Sequence, residues 1–323
     1  MKIAIVGCGA VGSYYGAMLA RAGVEVHFLL RSDYDVVRRH GVQILSPKGD
    51  FTVRPRCAKS PEEIGRSDVV FVALKTTANA TFPQLLPPLI GPQTAIVTLQ
   101  NGLGNEEALA RLFPADQILG GLCFVCLNRI APGTVQHLDH GLIVLGEFNC
   151  QPGPRTRELT ALFDAAGVPA RVTDNLRHAH WEKLVWNIPF NGLGVASAAG
   201  HATLLPSLSP IPHPPLACLT TDQLLADPRW ERLICELMQE VIASANALGL
   251  TVAGSLAEEL IERTRTMGAY KASTLLDFEL GRPLELESLF LEPLRQARQA
   301  GVATPRLAAL CEMLRRLEAA RTR

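Results

Sequence analysis

Gly7-Cys8-Gly9-Ala10-Val11-Gly12 is the first run of the chain whose residue types and spacing suit a chemical task. It follows a short apolar run, Ile3-Ala4-Ile5-Val6, that reads as a buried strand, and it precedes a helical stretch, Ser13 to Ala22. A G-x-G-x-x-G turn between a strand and a helix lets the backbone turn tightly, approach a pyrophosphate and pack helix on strand. The amides at that helix N-terminus present the positive end of the helix dipole to phosphates. Glycine also serves as plain turn punctuation, but its place at a strand-to-helix junction favours a dinucleotide held by residues 7–12. The next strand, Val24 to Leu30, ends in Arg31-Ser32, where an NAD-binding fold usually carries an acid for the ribose hydroxyls. A guanidinium there suits a 2′-phosphate, with Ser32 as a second donor, so NADP(H) is expected over NAD(H). The plain alternative is a solvent-exposed arginine at a strand end.

Two more polar residues follow apolar strands. Lys75 comes after Val69 to Leu74, and Asn101 comes after Thr94 to Leu99 and Gln100. Ligands of open α/β sheets bind beyond the carboxyl ends of the strands. Both residues are therefore expected near nicotinamide, ribose or substrate, unless they cap a helix or, for Asn101-Gly102, simply make a turn. Further along, Lys183, Asn187 and Asn191 fall four apart among Trp181, Leu184, Val185, Trp186, Ile188 and Phe190. That spacing lines them along one side of a helix. A polar stripe on an apolar helix is costly unless its groups find partners. A solvated face is the bland explanation, yet asparagine is a poor helix former. Pro189 removes a hydrogen bond to Val185 and is expected to kink the helix, which is tolerable beside a cleft.

The elements that must position these residues divide the chain in two. Residues 1–173 alternate strands and helices, which argues for a parallel sheet covered on both faces. Thr134 to His137 and Leu142 to Glu147 read as a hairpin around Asp139-His140-Gly141, and Val168 to Val172 as the last strand. Residues 174–323 show helical spacing almost throughout, starting with a long helix from Asp174, its expected cap, to about Ala198. Arg229 to Leu248, Ser255 to Met267, Leu286 to Ala300 and Pro305 to Ala320 follow. The proline-rich stretch 204–215 reads as an extended surface loop. The fold class expected is thus α/β: an N-terminal Rossmann-type doubly wound sheet followed by an all-helical domain.

Composition narrows the partners. The chain has 323 residues, 48% hydrophobic and 19% charged, with a formal net charge of zero. That balance lacks the basic footprint of a nucleic-acid binder. The basic tail, Arg315, Arg316, Arg321 and Arg323, reads as a solvated helix end. No stretch is apolar and long enough to span a bilayer, and the N-terminal run is too short for a signal peptide. Eight scattered cysteines point to reduced thiols in a cytoplasmic protein, and Cys123 and Cys126, three apart on a strand, point to opposite faces. His178, His180 and His201 have no ligand spacing around them, so no metal is expected and they read as surface or cleft histidines. Apolar helices of the second domain could pair as a homodimer, although core packing explains them equally well.

Together these pieces resemble the ketopantoate reductase family over nearly the whole chain. The resemblance rests on Gly7 to Gly12, Leu74-Lys75-Thr76, Gln100-Asn101-Gly102, Trp181-Glu-Lys183-Leu and the Asn187/Asn191 pair. A late segment also matches: Ala272-Ser273 to Asp277, Gly281-Arg282-Pro-Leu-Glu285-Leu-Glu287 and Gly301 to Pro305. The resemblance implies NADPH-dependent hydride transfer to C2 of a small 2-oxo acid, 2-dehydropantoate, giving pantoate on the route to pantothenate and coenzyme A. It implies Lys183 as the catalytic lysine and Glu285 as its acidic partner. Asn187, Asn191 and Ser273 match substrate contacts, Asn101 a position beside nicotinamide and substrate, and Lys75 a cofactor position. A lysine ammonium suits charge developing on a carbonyl oxygen and can supply the proton. The chain departs from the family pattern at Leu284, at Leu289-Phe290 and at Ala199-Gly200-His201, all expected on the substrate side. A reductase of another 2-oxo acid, or a non-catalytic NADP(H)-binding sensor, is therefore kept beside the main reading.

Overall fold

Lys2–Val6 forms β1, and Ile3 to Val6 are all buried. A strand apolar on both sides belongs inside a parallel sheet with cover on each face. The computed structural model, which describes residues 1–204 and 215–321, places β1 between two parallel neighbours, β2 (Glu25–Leu29) and β6 (Val69–Val72). The other strands are β3 (Val42–Leu45), β4 (Phe51–Val53), β5 (Arg56–Ala58), β7 (Ala95–Thr98), β8 (Ile118–Ala131), β9 (Thr134–Glu147) and β10 (Ala170–Val172). Their order is β4-β3-β9-β8-β7-β6-β1-β2-β5, with β10 on β9. All neighbours run parallel except β3 with β4 and β8 with β9.

Period-two alternation decides which core each side chain joins. Ile3 and Ile5 of β1, with Val69 and Phe71 of β6, face a core that holds Tyr15, Leu19 and Phe163. Ala4 and Val6, with Val70 and Val72, face the opposite core around Phe82, Leu86 and Leu109. The helices that supply this cover are α1 (Ala10–Arg21), α2 (Tyr34–His40), α3 (Pro61–Ile64), α4 (Phe82–Leu85), α5 (Asn105–Ala110) and α6 (Pro154–Ala165). These elements form a unit spanning Met1–Leu176. The sheet is the expected Rossmann type, but mixed rather than wholly parallel.

The hairpin expected around Asp139-His140-Gly141 is not there. Thr134 to Glu147 is one strand, and its hairpin partner is β8. His140 and Gly141 have φ of +64° and +130°, and the pairing skips Gly141, so the three residues make a bulge. The turn lies instead before β9, at Gly133 with φ +68°. Strands β3 to β5 are not expected from the sequence: they are three or four residues long, too short for alternation to stand out.

The second unit, Arg177–Arg323, is helical, with no strand among its described residues. α7 (Leu176–Ala196) leads into it and runs on through Pro189 as a single helix. Its start leaves Asp174 two residues outside, so Asp174 is not the cap. The remaining helices are α8 (Thr221–Ala226), α9 (Pro228–Ala247), α10 (Leu256–Arg265), α11 (Ser273–Glu279), α12 (Glu292–Gln299) and α13 (Pro305–Arg321). The helix expected from Leu286 opens on a π-helical turn, Glu287–Leu291, before α12. Most of the proline-rich stretch, residues 205–214, and Arg323 lie outside the described residues.

Candidate active site

Val6, Leu29, Val72 and Thr98 lie side by side across β1, β2, β6 and β7. The segments that leave this sheet edge carry Gly7–Gly12, Arg31, Lys75 and Asn101. The structure thus gathers every cofactor-side residue expected from sequence at the carboxyl ends of four adjacent strands, the usual ligand edge of such sheets.

The three glycines of the turn do different things. Gly7 has φ +102°, and a Cβ on it would lie 2.3 Å from the Leu74 amide nitrogen. A Cβ on Gly12 would lie 2.3 Å from the Gly7 carbonyl oxygen. These two let strand, turn and helix close on one another. Gly9 is exposed, and a Cβ there would meet nothing within 4 Å. It precedes α1 without a side-chain cap, so the first-turn amides of Ala10, Val11 and Gly12 have no partner within the helix. An open backbone shelf under such amides fits the pyrophosphate of a dinucleotide. Gly16, which sequence reasoning passed over, continues the close packing: a Cβ there would sit 2.6 Å from the Phe28 ring.

Cys8 contributes its backbone, not its thiol. Sγ lies 3.6 Å from the Ile5 carbonyl and 3.5 Å from that of Leu29, and burial pushes the thiol well above its usual range. Its carbonyl accepts from Ser13 Oγ at 3.0 Å.

Arg31 and Lys75 are exposed, and Asn101 is half-buried. Ser32 does not match its expectation as a ready second donor, because its hydroxyl donates to Asp33 Oδ1 at 2.9 Å. Behind Lys75 and Asn101 lies a chain of amides that sequence reasoning missed. Gln100 Nε2 donates to the Leu74 carbonyl at 2.9 Å and to Asn79 Oδ1 at 2.7 Å. Asn79 Nδ2 donates to Asn105 Oδ1 at 3.2 Å, and Asn105 Nδ2 to the Asn101 carbonyl at 3.1 Å. The chain ties the ends of β6 and β7 together and fixes the turn in which Gly102 has φ +88°. Nothing in the sequence marks these amides except that Asn79 and Asn105 each follow a candidate residue by four.

In the second unit, α7 carries Lys183, Asn187 and Asn191 along one side. Asn187 and Asn191 are buried and Lys183 is half-buried, so the stripe is not a solvated face. Another side of α7 is fixed by Trp186, which stacks on Phe190 with ring centroids 5.0 Å apart and donates to Thr264 Oγ1 at 2.9 Å. Asn191 Oδ1 accepts from Ser273 Oγ at 3.2 Å and from the Thr274 amide at 3.1 Å. The structure therefore brings Asn191 and Ser273 together, and Asn191 also anchors the first turn of α11. Glu285 is 5% exposed and lies just before the π-helical turn.

Leu284, Leu289 and Phe290, where the chain departs from the family pattern, are core residues. The Leu284 amide donates to Glu318 Oε1 at 2.8 Å, and a Cβ on Gly192 of α7 would lie 2.9 Å from the Phe290 ring. Of the histidines expected at the surface or in a cleft, His180 is buried, and His178 pairs with Glu182 at 3.4 Å. Among the described residues no group of three or more His, Cys, Asp or Glu side chains could hold a metal ion, and no helix is long and apolar enough to cross a membrane. All eight cysteines are free thiols.

Comparison with known proteins agrees with this arrangement in both units. Residues 3–150 match the family model described as ketopantoate reductase PanE/ApbA, and residues 212–318 match its C-terminal model. The chain is 38% identical to a 2-dehydropantoate 2-reductase of Nostoc sp., with 98% of this chain and 95% of that one covered. The crystal structure of 2-dehydropantoate 2-reductase from Geobacter metallireducens is 46% identical, with a TM-score of 0.89 over 98% of this chain and 99% of that one. A second, from Methylococcus capsulatus, is 32% identical, with a TM-score of 0.87 over 100% and 98%. An oxidoreductase that works with a nicotinamide cofactor accounts for the glycine turn and its strand ends, and the chain belongs to the ketopantoate reductase family.

Proposed function

We propose that this protein reduces 2-dehydropantoate to pantoate with NADPH. The observation that carries the reading is the sheet edge at which Gly7–Gly12, Arg31, Lys75 and Asn101 emerge from four adjacent strands. It is joined by the names of the full-length relatives. Gly9 and the amides of Ala10, Val11 and Gly12 would hold the pyrophosphate. Arg31, exposed at the end of β2, would pair with the 2′-phosphate. Lys75 and Asn101 would orient the ribose and nicotinamide end.

When bound, the reduced nicotinamide supplies the hydride. As C2 of the 2-oxo acid accepts it, the carbonyl oxygen becomes an alkoxide. The Lys183 ammonium would stabilise that charge and then protonate the oxygen, leaving a 2-hydroxy acid and a neutral amine. Glu285 would hold Lys183 in place or accept from the substrate hydroxyl. Asn187 would bind the polar ends of the substrate. Asn191 Oδ1 is taken by α11, which leaves its Nδ2 for a carboxylate. Ser273 would turn from Asn191 to the substrate hydroxyl. The eight free thiols are in keeping with a reducing, cytoplasmic setting.

The test is a panel of 2-oxo acids assayed with NADPH and with NADH. Fastest turnover is expected with 2-dehydropantoate and NADPH, and no turnover of it at high enzyme would remove the pantoate assignment. Lys183→Ala is expected to cut kcat by about 10²–10⁴ while NADPH still binds.

A further inference from the structure

We propose that Asp33 and Arg129 form a positioning pair that sets cofactor choice, by turning the acid nearest Arg31 away from the adenosine end of the cofactor. The proposal rests on the NADP(H) reading above. Asp33 lies two residues after Arg31, in the same turn between β2 and α2. A carboxylate facing outward from that turn would repel a 2′-phosphate and suit free ribose hydroxyls instead. The structure removes it. Asp33 is 6% exposed, whereas Arg31 and Ser32 are exposed.

The side chain is held from the far side of the turn. Arg129 of β8 donates through Nε to Asp33 Oδ2 at 3.0 Å and through Nη2 to Oδ1. The Gly133 amide donates to Oδ2 at 3.0 Å, and Ser32 Oγ donates to Oδ1. Asp33 stands at the N-cap of α2, where an aspartate ordinarily accepts an amide of its own helix, yet it makes no such bond. Apart from the bond from Ser32, those of the Asp33 side chain reach to the β8–β9 hairpin, about a hundred residues on. Burial alone would raise its pKa, but the bonds from Arg129, Gly133 and Ser32 outweigh burial and keep the carboxyl below its usual value.

With Asp33 turned in, the charged side chain that the turn itself shows to solvent is Arg31. Arg31, Arg38, Arg39 and Lys59 are exposed, against Asp35 in the first turn of α2 and Glu62 and Glu63 in α3, where Glu63 Oε2 accepts from the Lys59 amide at 3.1 Å. Lys59 Nζ sits 4.5 Å from the Tyr34 ring centroid, at the end of β5 beside the end of β2. An unpaired Asp33 would add a further carboxylate two residues from Arg31.

The experiment measures equilibrium binding of NADPH and NADH by fluorescence to wild type, R129M, D33N and the double variant R129M/D33N. Wild type is expected to favour NADPH. R129M releases the carboxylate, and the NADPH-over-NADH ratio is expected to fall on the order of tenfold. D33N alone should keep the preference, and the double variant should recover it, because the released group no longer carries charge. A merely structural role would weaken both nucleotides alike, and the double variant would not recover. Should R129M fail to fold, R129K takes its place and is expected to lower the ratio in the same direction by less. An unchanged ratio in the arginine variant, or no recovery in the double variant, overturns the proposal. A wild-type protein that binds NADH more tightly overturns the NADP(H) reading itself, whatever the variants do.

Discussion

At the scale of single residues, Gly9 and Gly12 separate two roles that one motif hides. Gly12→Ala places a Cβ against the Gly7 carbonyl, so the turn must shift and both stability and nucleotide affinity are expected to fall. Gly9→Ala meets no protein atom, and Gly9 has an ordinary φ of −76°. That variant is expected to unfold at the wild-type temperature while its NADPH affinity drops. Thermal unfolding and a fluorescence titration on the two variants check this, and a Gly9→Ala protein with wild-type affinity would mean that the pyrophosphate does not approach there. Much of this scale was legible beforehand, since glycine types and spacing follow directly from backbone sterics. What the residues bond to was not. Nothing near Asp33 in the chain says that its carboxylate goes to Arg129, and nothing near Asn191 says that its oxygen anchors α11.

At the scale of elements, the loops at the sheet edge are held by side chains as well as by their own turns. Gln100 is 5% exposed and binds the Leu74 carbonyl, so Gln100→Ala leaves that half-buried carbonyl and the Asn79 amide oxygen short of a donor. A loss of about 1–3 kcal/mol is expected in urea unfolding, with weaker cofactor binding through Lys75 and Asn101. A Gln100→Ala protein with unchanged stability would remove the amide chain from the account. The turn after β2 carries a pH signature. The Asp33 carboxyl is held below its usual value when folded, so its contribution to stability is complete above the unfolded carboxylate pKa of about 4. It is lost as pH falls through the lower folded value. Urea midpoints measured from pH 6 to pH 3 should therefore drop more steeply for wild type than for Asp33→Asn, and parallel curves would contradict the pairing with Arg129. Long apolar strands and amphipathic helices were readable from periodicity, as at β1, β6 and α9. The β8–β9 hairpin was not, because His140-Gly141 looks like a turn and acts as a bulge.

At the scale of the whole molecule, the chain is a Rossmann-type unit followed by a helical unit, and both match one family. Order of motifs carried most of that reading: the glycine turn, two strand ends, the Lys183 helix and the Glu285 segment recur in a fixed sequence, and chance would not supply them together. The departures at Leu284, Leu289 and Phe290 are buried apolar residues of the helical unit, as the neighbouring Glu285 is buried. A ligand that binds only the native state stabilises it by mass action, about 2.7 kcal/mol at a hundredfold excess over Kd. NADPH is accordingly expected to raise the unfolding temperature more than NADH at equal concentration, and equal shifts would argue against a 2′-phosphate site. The proposed reaction places a hydride on C2 of a ketone, with Lys183 as proton donor. It is tested most directly by incubating the protein with 2-dehydropantoate and NADPH deuterated at the transferring position of its nicotinamide ring, then examining the product by mass spectrometry and NMR. The account predicts pantoate carrying one deuterium at C2, formed by wild type and reduced to near background in Lys183→Ala. Unlabelled product, no product from wild type, or full activity in Lys183→Ala would contradict it.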